Sequence, residues 1–399
     1  MEQIALLALT ASTLAQIGLT AHILLLRSFK MQAYFPLAIF LISMGIMTSW
    51  PLTSVFVPQL LPAVVALSFP ALLLLGPSLW FYVEGITSET PWRIHKMHYW
   101  HFVPLSIGMV IAFITFCFPY EMRETLLVKG DLSEVDVASP MQRQIAMALL
   151  VIAFVLILAW IVQSAYYFVR IIRHLTRYRR RLKDLFASTE FREMQWLTWL
   201  LLAVGVMWVV SVITILSDNL FHRTIINGLV SNGLLFAMIW SLSVWGLRQK
   251  PGFEVLYRDT TLPGSVKSDE EKADQKYERS ALNEEQSSRI AQKIEGAMTK
   301  DELYLDSSLS LRKLSGHISV SPNYISQTLN ETVGVNFFDY VNRYRVEAAK
   351  KLLIEGEDTV LDIAMMVGFN AKSSFYSAFK KETQQTPSGF RKENSGSKC

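Results

Sequence analysis

The sequence predicts an all-α protein in two parts: a seven-helix transmembrane bundle, then a small helical domain with two helix-turn-helix units. Three observations predict it. Long stretches without Asp, Glu, Lys or Arg fill the first 250 residues, a polar and charged stretch follows, and the C-terminal region repeats one short-helix, turn, short-helix pattern. The expected divisions are a membrane-spanning sensor region at 1–250, a linker and connecting helix at 251–300, and a compact domain at 301–399.

The membrane half follows from segment lengths. Hydrophobic residues make up 51% of the chain and charged residues 18%, but the charge avoids residues 3–26, 31–83, 97–120, 144–169, 194–217 and 224–247. About 20 apolar residues cross the hydrocarbon core, at roughly 1.5 Å rise per residue over about 30 Å. Five segments are one span long, and 31–83 is long enough for two, reversing at Pro58-Gln59-Leu60-Leu61-Pro62. Trp92, Trp100, Trp160, Trp196, Trp240 and Trp245 lie near span ends, where amphipathic rings favour the interface.

Loop charge sets the orientation. With the N-terminus outside, the inner loops carry Arg27, Lys30, Arg93, Lys96, Arg170, Arg173, Arg177, Arg179, Arg180, Arg181, Lys183 and Arg192. The outer loops carry only Arg123, Lys129, Arg143 and Arg223. This bias places the N-terminus of a multi-pass membrane protein outside and its C-terminal domain in the cytoplasm. The run from Arg170 to Lys183 looks like a nucleic-acid patch, but beside a span it reads better as attraction to anionic lipid headgroups. The N-terminus lacks the basic n-region of a cleaved leader, and its apolar stretch is span-length. Cys117 and Cys399 imply no disulfide framework.

After Leu247 the chain changes character. Thr260–Gln275 reads as a solvated linker of about 20 flexible residues, spanning roughly 25 Å. Leu282, Ile290, Ile294 and Met298 then repeat at helical spacing, predicting a helix from about Ser280 to Met298. Further on, Leu309, Leu311 and Leu314 begin a short helix, and Ser321-Pro322 supplies an N-cap and a first-turn proline for the next. That helix buries Ile325 and Leu329 and exposes Asn323, Ser326, Gln327 and Asn330. The pattern recurs: Asp362–Val367 is a short helix, Gly368 breaks it, and Asn370 caps a helix to about Lys381. That second helix buries Phe375, Ala378 and Phe379 and exposes Lys372, Ser373, Tyr376, Ser377, Lys380 and Lys381. A connector helix over about 337–354 turns Tyr344, Ala348 and Leu352 inward, and Arg343, Arg345, Lys350 and Lys351 outward. Its roughly 27 Å suits two recognition helices in major-groove segments about 34 Å apart.

Residues of about 305–392 resemble the DNA-binding domain of the AraC/XylS family of bacterial regulators. The resemblance is carried by LSLRKLSGHISVSPNYISQTLNE, FFDYVNRYRVEAAKKLL and VLDIAMMVGFNAKSSFYSAFKKETQQTPSGFRK. GPSLWFYVEGIT (Gly76–Thr87) and HFVPL (His101–Leu105) are similar to stretches of seven-span, membrane-bound members. The resemblance implies a one-component transcriptional regulator of the bacterial inner membrane that reads double-stranded promoter DNA, beside membrane lipid and under an unknown lipid or small-molecule signal. A homodimer is expected from the charge balance of the domain. It maps base reading onto Asn323, Ser326 and Gln327, and onto Lys372, Ser373, Tyr376 and Ser377. Two departures stand out. Gln327 and Asn330 occupy places where the family often has arginine or lysine, and Gln384 stands where it usually has glycine.

Charge tempers this reading. Residues 301–399 hold twelve Lys plus Arg against twelve Asp plus Glu, whereas nucleic-acid binders are usually basic. Modest affinity per monomer is therefore expected, with paired sites compensating. No cofactor, metal centre or catalytic constellation is expected: there is no phosphate-cradling glycine loop, nucleophile elbow or cysteine cluster. His95, His98 and His101 share one side of a helix at the membrane edge, which reads as interfacial polarity before metal binding. Asn227, Ser231 and Asn232 are candidates for a buried polar contact in the seventh span. The alternative to a regulator is a transporter or lipid-modifying protein with a DNA-binding appendage. Against it, no span carries an Asp, Glu, Lys or Arg in its middle.

Overall fold

The computed structural model describes residues 1–129, 140–189, 196–199, 201–206, 228–250, 252–253, 282–355 and 357–395. Two units emerge. The first comprises Met1–Leu175 and Met194–Asp259, and the second Thr176–Glu193 and Thr260–Cys399. Both are helical among the described residues. The expected linker at 260–275, Ser280, Asn227 and most of the span expected at 194–217 lie outside the described residues.

In the first unit, α1 (Glu2–Ser28) packs against α2 (Phe35–Thr48) and against α8 (Gly228–Arg248). The short α3 (Trp50–Phe56) continues α2 after a 47° bend. The long α4 (Leu61–Ile86) packs against α2 and α5 (Val103–Phe116), followed by α6 (Tyr120–Glu124) and α7 (Pro140–Leu185). Among the described residues five helices are long and apolar enough to cross a membrane, or up to six if the bent pair forms one span. The expected seven are thus not all recovered, because the sixth falls largely on residues outside the description. In the apolar window of α7 only 17% of residues are buried, and Phe154, Leu158 and Val162 face outward. Water would penalise such a surface; hydrocarbon would not.

Polar contacts gather where the inner loops were expected. Arg27 donates to the Leu247 carbonyl, Tyr34 Oη to the Gln249 carbonyl at 2.9 Å, and the Gly252 amide to Ile86 O at 3.2 Å. The stretches Gly76–Thr87 and His101–Leu105 pack together: the Phe81 ring lies 5.4 Å from His101 and 5.7 Å from Phe102. Gly76 is required there, since a Cβ would come within 2.6 Å of the Tyr167 ring. The His95 and His98 rings pack edge to face at 5.8 Å, but the ring nitrogens of the three histidines turn to different partners. His95 meets the Arg93 carbonyl, His98 faces Glu84 at 3.4 Å, and His101 pairs with Tyr167 Oη at 2.6 Å. Among the described residues no group of three His, Cys, Asp or Glu side chains is placed to hold a metal. Asn232 turns back to its own helix, donating to the Gly228 carbonyl.

The second unit has two small cores. The first is built by α9 (Glu284–Thr299), α10 (Leu311–Ile318), α11 (Pro322–Gln327) and the start of α12 (Phe337–Glu355), around Ile294, Met298, Leu314, Ile325, Leu329 and Val341. The second gathers Val346, Ala349 and Leu353 of α12 with α13 (Val360–Met366) and α14 (Lys372–Thr383), and Phe390 of α15 (Pro387–Ser395) packs against it. Asn283 caps α9 through a capping box with Gln286. Contrary to the sequence reading, Arg345 is fully buried and lies between the two cores. It falls four residues from both Val341 and Ala349, on the same face of α12. The most buried stripe is therefore Val341, Arg345, Val346, Ala349 and Leu353, with Tyr344, Ala348 and Leu352 at its margin.

Candidate nucleic-acid interface

The first helix-turn-helix is α10, a turn through Ser319–Ser321, and α11. Ser310 caps α10 by accepting from the Lys313 amide, and Ser319 ends it in the left-handed region at φ 53°. Ser321 holds the N-cap position of α11 with Pro322 in its first turn, as the sequence predicts, but its side chain makes no cap bond. The recognition helix is brief. After Gln327 the chain widens into a π-helical turn, Thr328–Val333, which Gly334 closes at φ 79°. Ile325 and Leu329 hold the inner face. Asn323 and Asn330 are exposed, while Ser326 and Gln327 are partly covered. The amides are already engaged: Gln327 Nε2 donates to Glu331 Oε2 at 2.9 Å, and Asn330 Nδ2 donates to the Ser326 carbonyl at 2.9 Å.

The second unit is α13, a turn through Gly368, and α14. Thr359 caps α13 by accepting from the Asp362 amide. Gly368 sits at φ 91°, and a Cβ there would fall 2.6 Å from the Tyr304 carbonyl oxygen, so only glycine fits. The cap of α14 differs from expectation. Ala371 occupies it without a side-chain bond, and Asn370 instead donates to the Ser307 carbonyl at 3.1 Å. Four rings, Phe369, Phe375, Phe379 and Phe390, pack in a chain with centroids 5.2–5.5 Å apart, the first pair tilted and the other two edge-on, and fix the inner face. The outer face presents Lys372, Ser373, Ser377 and Lys380, all exposed. Tyr376 is partly covered; its hydroxyl lies 3.1 Å from Ser388 Oγ, and the Lys372 ammonium sits 5.3 Å from its ring centroid. Lys381 is exposed and turned to the partly buried Asp339, whose Oδ1 lies 2.7 Å away; a phosphate can compete for that lysine.

The two recognition helices thus offer different chemistry. The first offers short polar side chains and an adjacent carboxylate, Glu331. The second offers cations at both ends of a polar stripe. A helix with such a face can enter the major groove and bond base edges with Ser, Asn, Gln or Lys, while lysines neutralise phosphates. Gln384 ends α14 at φ 61°, the left-handed position where glycine is favoured, so the departure noted in the sequence is borne by a strained backbone.

Residues 314–393 match the family described as a helix-turn-helix domain. The C-terminal region is an AraC-type helix-turn-helix domain. An uncharacterized HTH-type transcriptional regulator of Staphylococcus aureus (strain COL) is 34% identical over 113 residues, 28% of this chain and 14% of that protein. The regulatory protein PocR of Salmonella typhimurium is 30% identical over 101 residues, 25% of this chain and 33% of PocR. Among solved structures, the C-terminal domain of AraT, a response regulator from Geobacillus stearothermophilus, is 28% identical. It covers 29% of this chain and 88% of that chain, at a TM-score of 0.24. The chain therefore spans a third or less of the length of these two curated relatives.

The residues that join the two units within this domain were missed by sequence reasoning. Arg345 Nε donates to Tyr304 O at 2.7 Å and its NH2 to Asp306 O at 2.9 Å. Asp306 is held below the ordinary carboxylate range. Burial alone would raise it, but bonds from Lys313 and Ser308 outweigh that effect. Burial of the half-covered Tyr340, with its bond to Tyr344, pushes its hydroxyl up.

Proposed function

We propose that this protein is a membrane-anchored, one-component transcriptional regulator. Its two helix-turn-helix units bind promoter DNA sequence-specifically, and its helical membrane half senses a lipid or small-molecule signal. The single observation that carries the reading is the pair of recognition helices on one connector. Both turn polar faces outward, in a chain whose other half is apolar helix.

In this reading Ser373, Lys372, Tyr376 and Ser377 read one major-groove segment, and Asn323, Ser326, Gln327 and Asn330 read the next. Lys380 and Lys381 meet phosphates. The connector α12, at 19 residues, is about 28 Å long by the helical rise, close to one turn of B-DNA. Equal numbers of acids and bases in 301–399 make monomer binding modest, so a homodimer on paired sites supplies the rest. Convergence of the helix ends near Arg27, Ile86 and Leu247 supports a cytoplasmic face there, with the N-terminus outside.

The test is selection from a random duplex pool by the full-length protein in lipid nanodiscs. We expect enrichment of a sequence with two conserved segments about 10 base pairs apart. A pool that stays random would sink the proposal.

A further inference from the structure

The second unit contains a piece of chain that no helix-turn-helix requires: Thr176–Glu193, which in sequence lies between two apolar segments. It is the end of α7 and the residues after it. Phe186, Ala187 and Thr189 are each 2% exposed or less. Phe186 forms an antiparallel bridge with Ser310, and the Ala187 amide donates to Leu309 O at 3.1 Å. Ala187 is part of the first core, Leu185 packs on it, and the Lys183 ammonium lies 5.6 Å from the Phe338 ring centroid.

This segment lands where the two DNA-reading units meet. One guanidinium, Arg345, donates to Ala187 O and Ser188 Oγ, both at 3.2 Å, and to the carbonyls of Tyr304 and Asp306. Its far side faces the Phe369 ring of the second unit at 5.5 Å. The Tyr304–Ser310 stretch that Arg345 holds is also the one against which Gly368 and Asn370 pack. Its last residue caps α10. Segment, Arg345 and loop therefore form one joint between the units. Asn342 shows that the joint is not fully satisfied: its Oδ1 accepts from Arg345, but its buried Nδ2 has no hydrogen-bond partner.

We infer that Lys183–Thr189 is a latch, an intrachain segment whose seat on the joint fixes the spacing of the two recognition helices. The inference rests on the DNA-reading function proposed above and names its regulation. Seated, the latch keeps both helices in register with successive major-groove segments. Withdrawn, it removes two acceptors from a buried guanidinium and a side chain from the first core, and each unit then reads DNA alone. Because the latch is continuous with α7, movement of that helix in the membrane half draws on it directly.

The experiment uses the full-length protein in nanodiscs and the duplex that wild type selects from the random pool, intact or with one segment scrambled. Ala187→Glu places a carboxylate in the core and unseats the latch. We expect at least a tenfold loss on the intact duplex, with binding to the half-scrambled duplex within twofold of wild type. Retained half-site binding shows that the units remain folded. In a second variant, Phe186→Cys with Ser310→Cys, built on Cys117→Ser and Cys399→Ser, the disulfide should form in membranes and the oxidised protein should keep wild-type affinity. Equal binding of both duplexes by Ala187→Glu and wild type, or no disulfide in the paired-cysteine variant, overturns the latch alone. A wild-type protein that selects no sequence overturns the DNA-reading proposal, and the latch with it.

Discussion

The two helix-turn-helix units share a topology and divide the work. The first has a six-residue recognition helix that relaxes into a π-helical turn, with no cation on its reading face and a carboxylate, Glu331, bonded to Gln327. The second has a twelve-residue helix on a core of four aromatic rings, with Lys372 and Lys380 exposed at its two ends. Duplication thus does not imply equivalence. On the proposed function, the second unit would supply most of the affinity and rigidity, while the first would read bases through amides that must first give up their present partners.

The sharpest way to break the comparison is to empty the second core. Phe375 is fully buried against Phe369 and Phe379. Phe375→Ala should destabilise that unit by about 3–5 kcal/mol. Hydrogen exchange should then rise across α13 and α14 while α10 and α11 stay protected. Next in size is base reading. Ser373→Ala and Gln327→Ala should each lose about 1–3 kcal/mol of discrimination, at different segments of the selected duplex. Gln327→Ala should fall at the lower end, because its amide gives up a bond to Glu331 on binding. Competition with single-base variants of the duplex measures both.

Much of this was legible in the sequence, and what was not has a physical cause. Charge-free lengths and apolar periodicity located most helices, because burial of a face leaves a repeat of 3.6 residues whatever lies outside it. Ser321-Pro322 and Gly368 marked both turns, since each meets a local backbone demand. Arg345 was misread because hydropathy treats arginine as a surface residue; only its four-residue spacing from Val341 and Ala349 pointed inward. Asn370 was misassigned as a cap because its carbonyl partner, Ser307, lies far away in sequence. The latch was invisible for the same reason: its pairing with Leu309 and Ser310 spans more than a hundred residues, and a basic run beside a span reads as a lipid contact.

Smaller effects refine the contrast. Lys380→Ala should weaken all duplexes alike and reduce the slope of log affinity against log salt by about 0.9. Alanine substitution of Asn323, Ser326, Gln327 or Asn330 should leave that slope unmoved, since none of them carries charge. Smallest is the pH response of the joint. Asp306 titrates below its unfolded value, so its bonds to Lys313 and Ser308 stabilise the domain above the ordinary carboxylate range. That contribution is lost as pH falls through the lowered value. The side chain is 40% exposed, so Asp306→Asn should cost no more than about 0.5 kcal/mol at neutral pH, and the difference should vanish in acid. Hydrogen exchange of the Ser308 amide at pH 7 and in acid would follow it.

The most direct test of the account is a hydroxyl-radical footprint of the full-length protein, in nanodiscs, on its selected duplex. Two recognition helices on one connector predict two protected segments per protomer, about 10 base pairs apart, with stronger protection in the segment lost on Ser373→Ala. A single protected segment, or two that are lost together with Ser373→Ala, would contradict it.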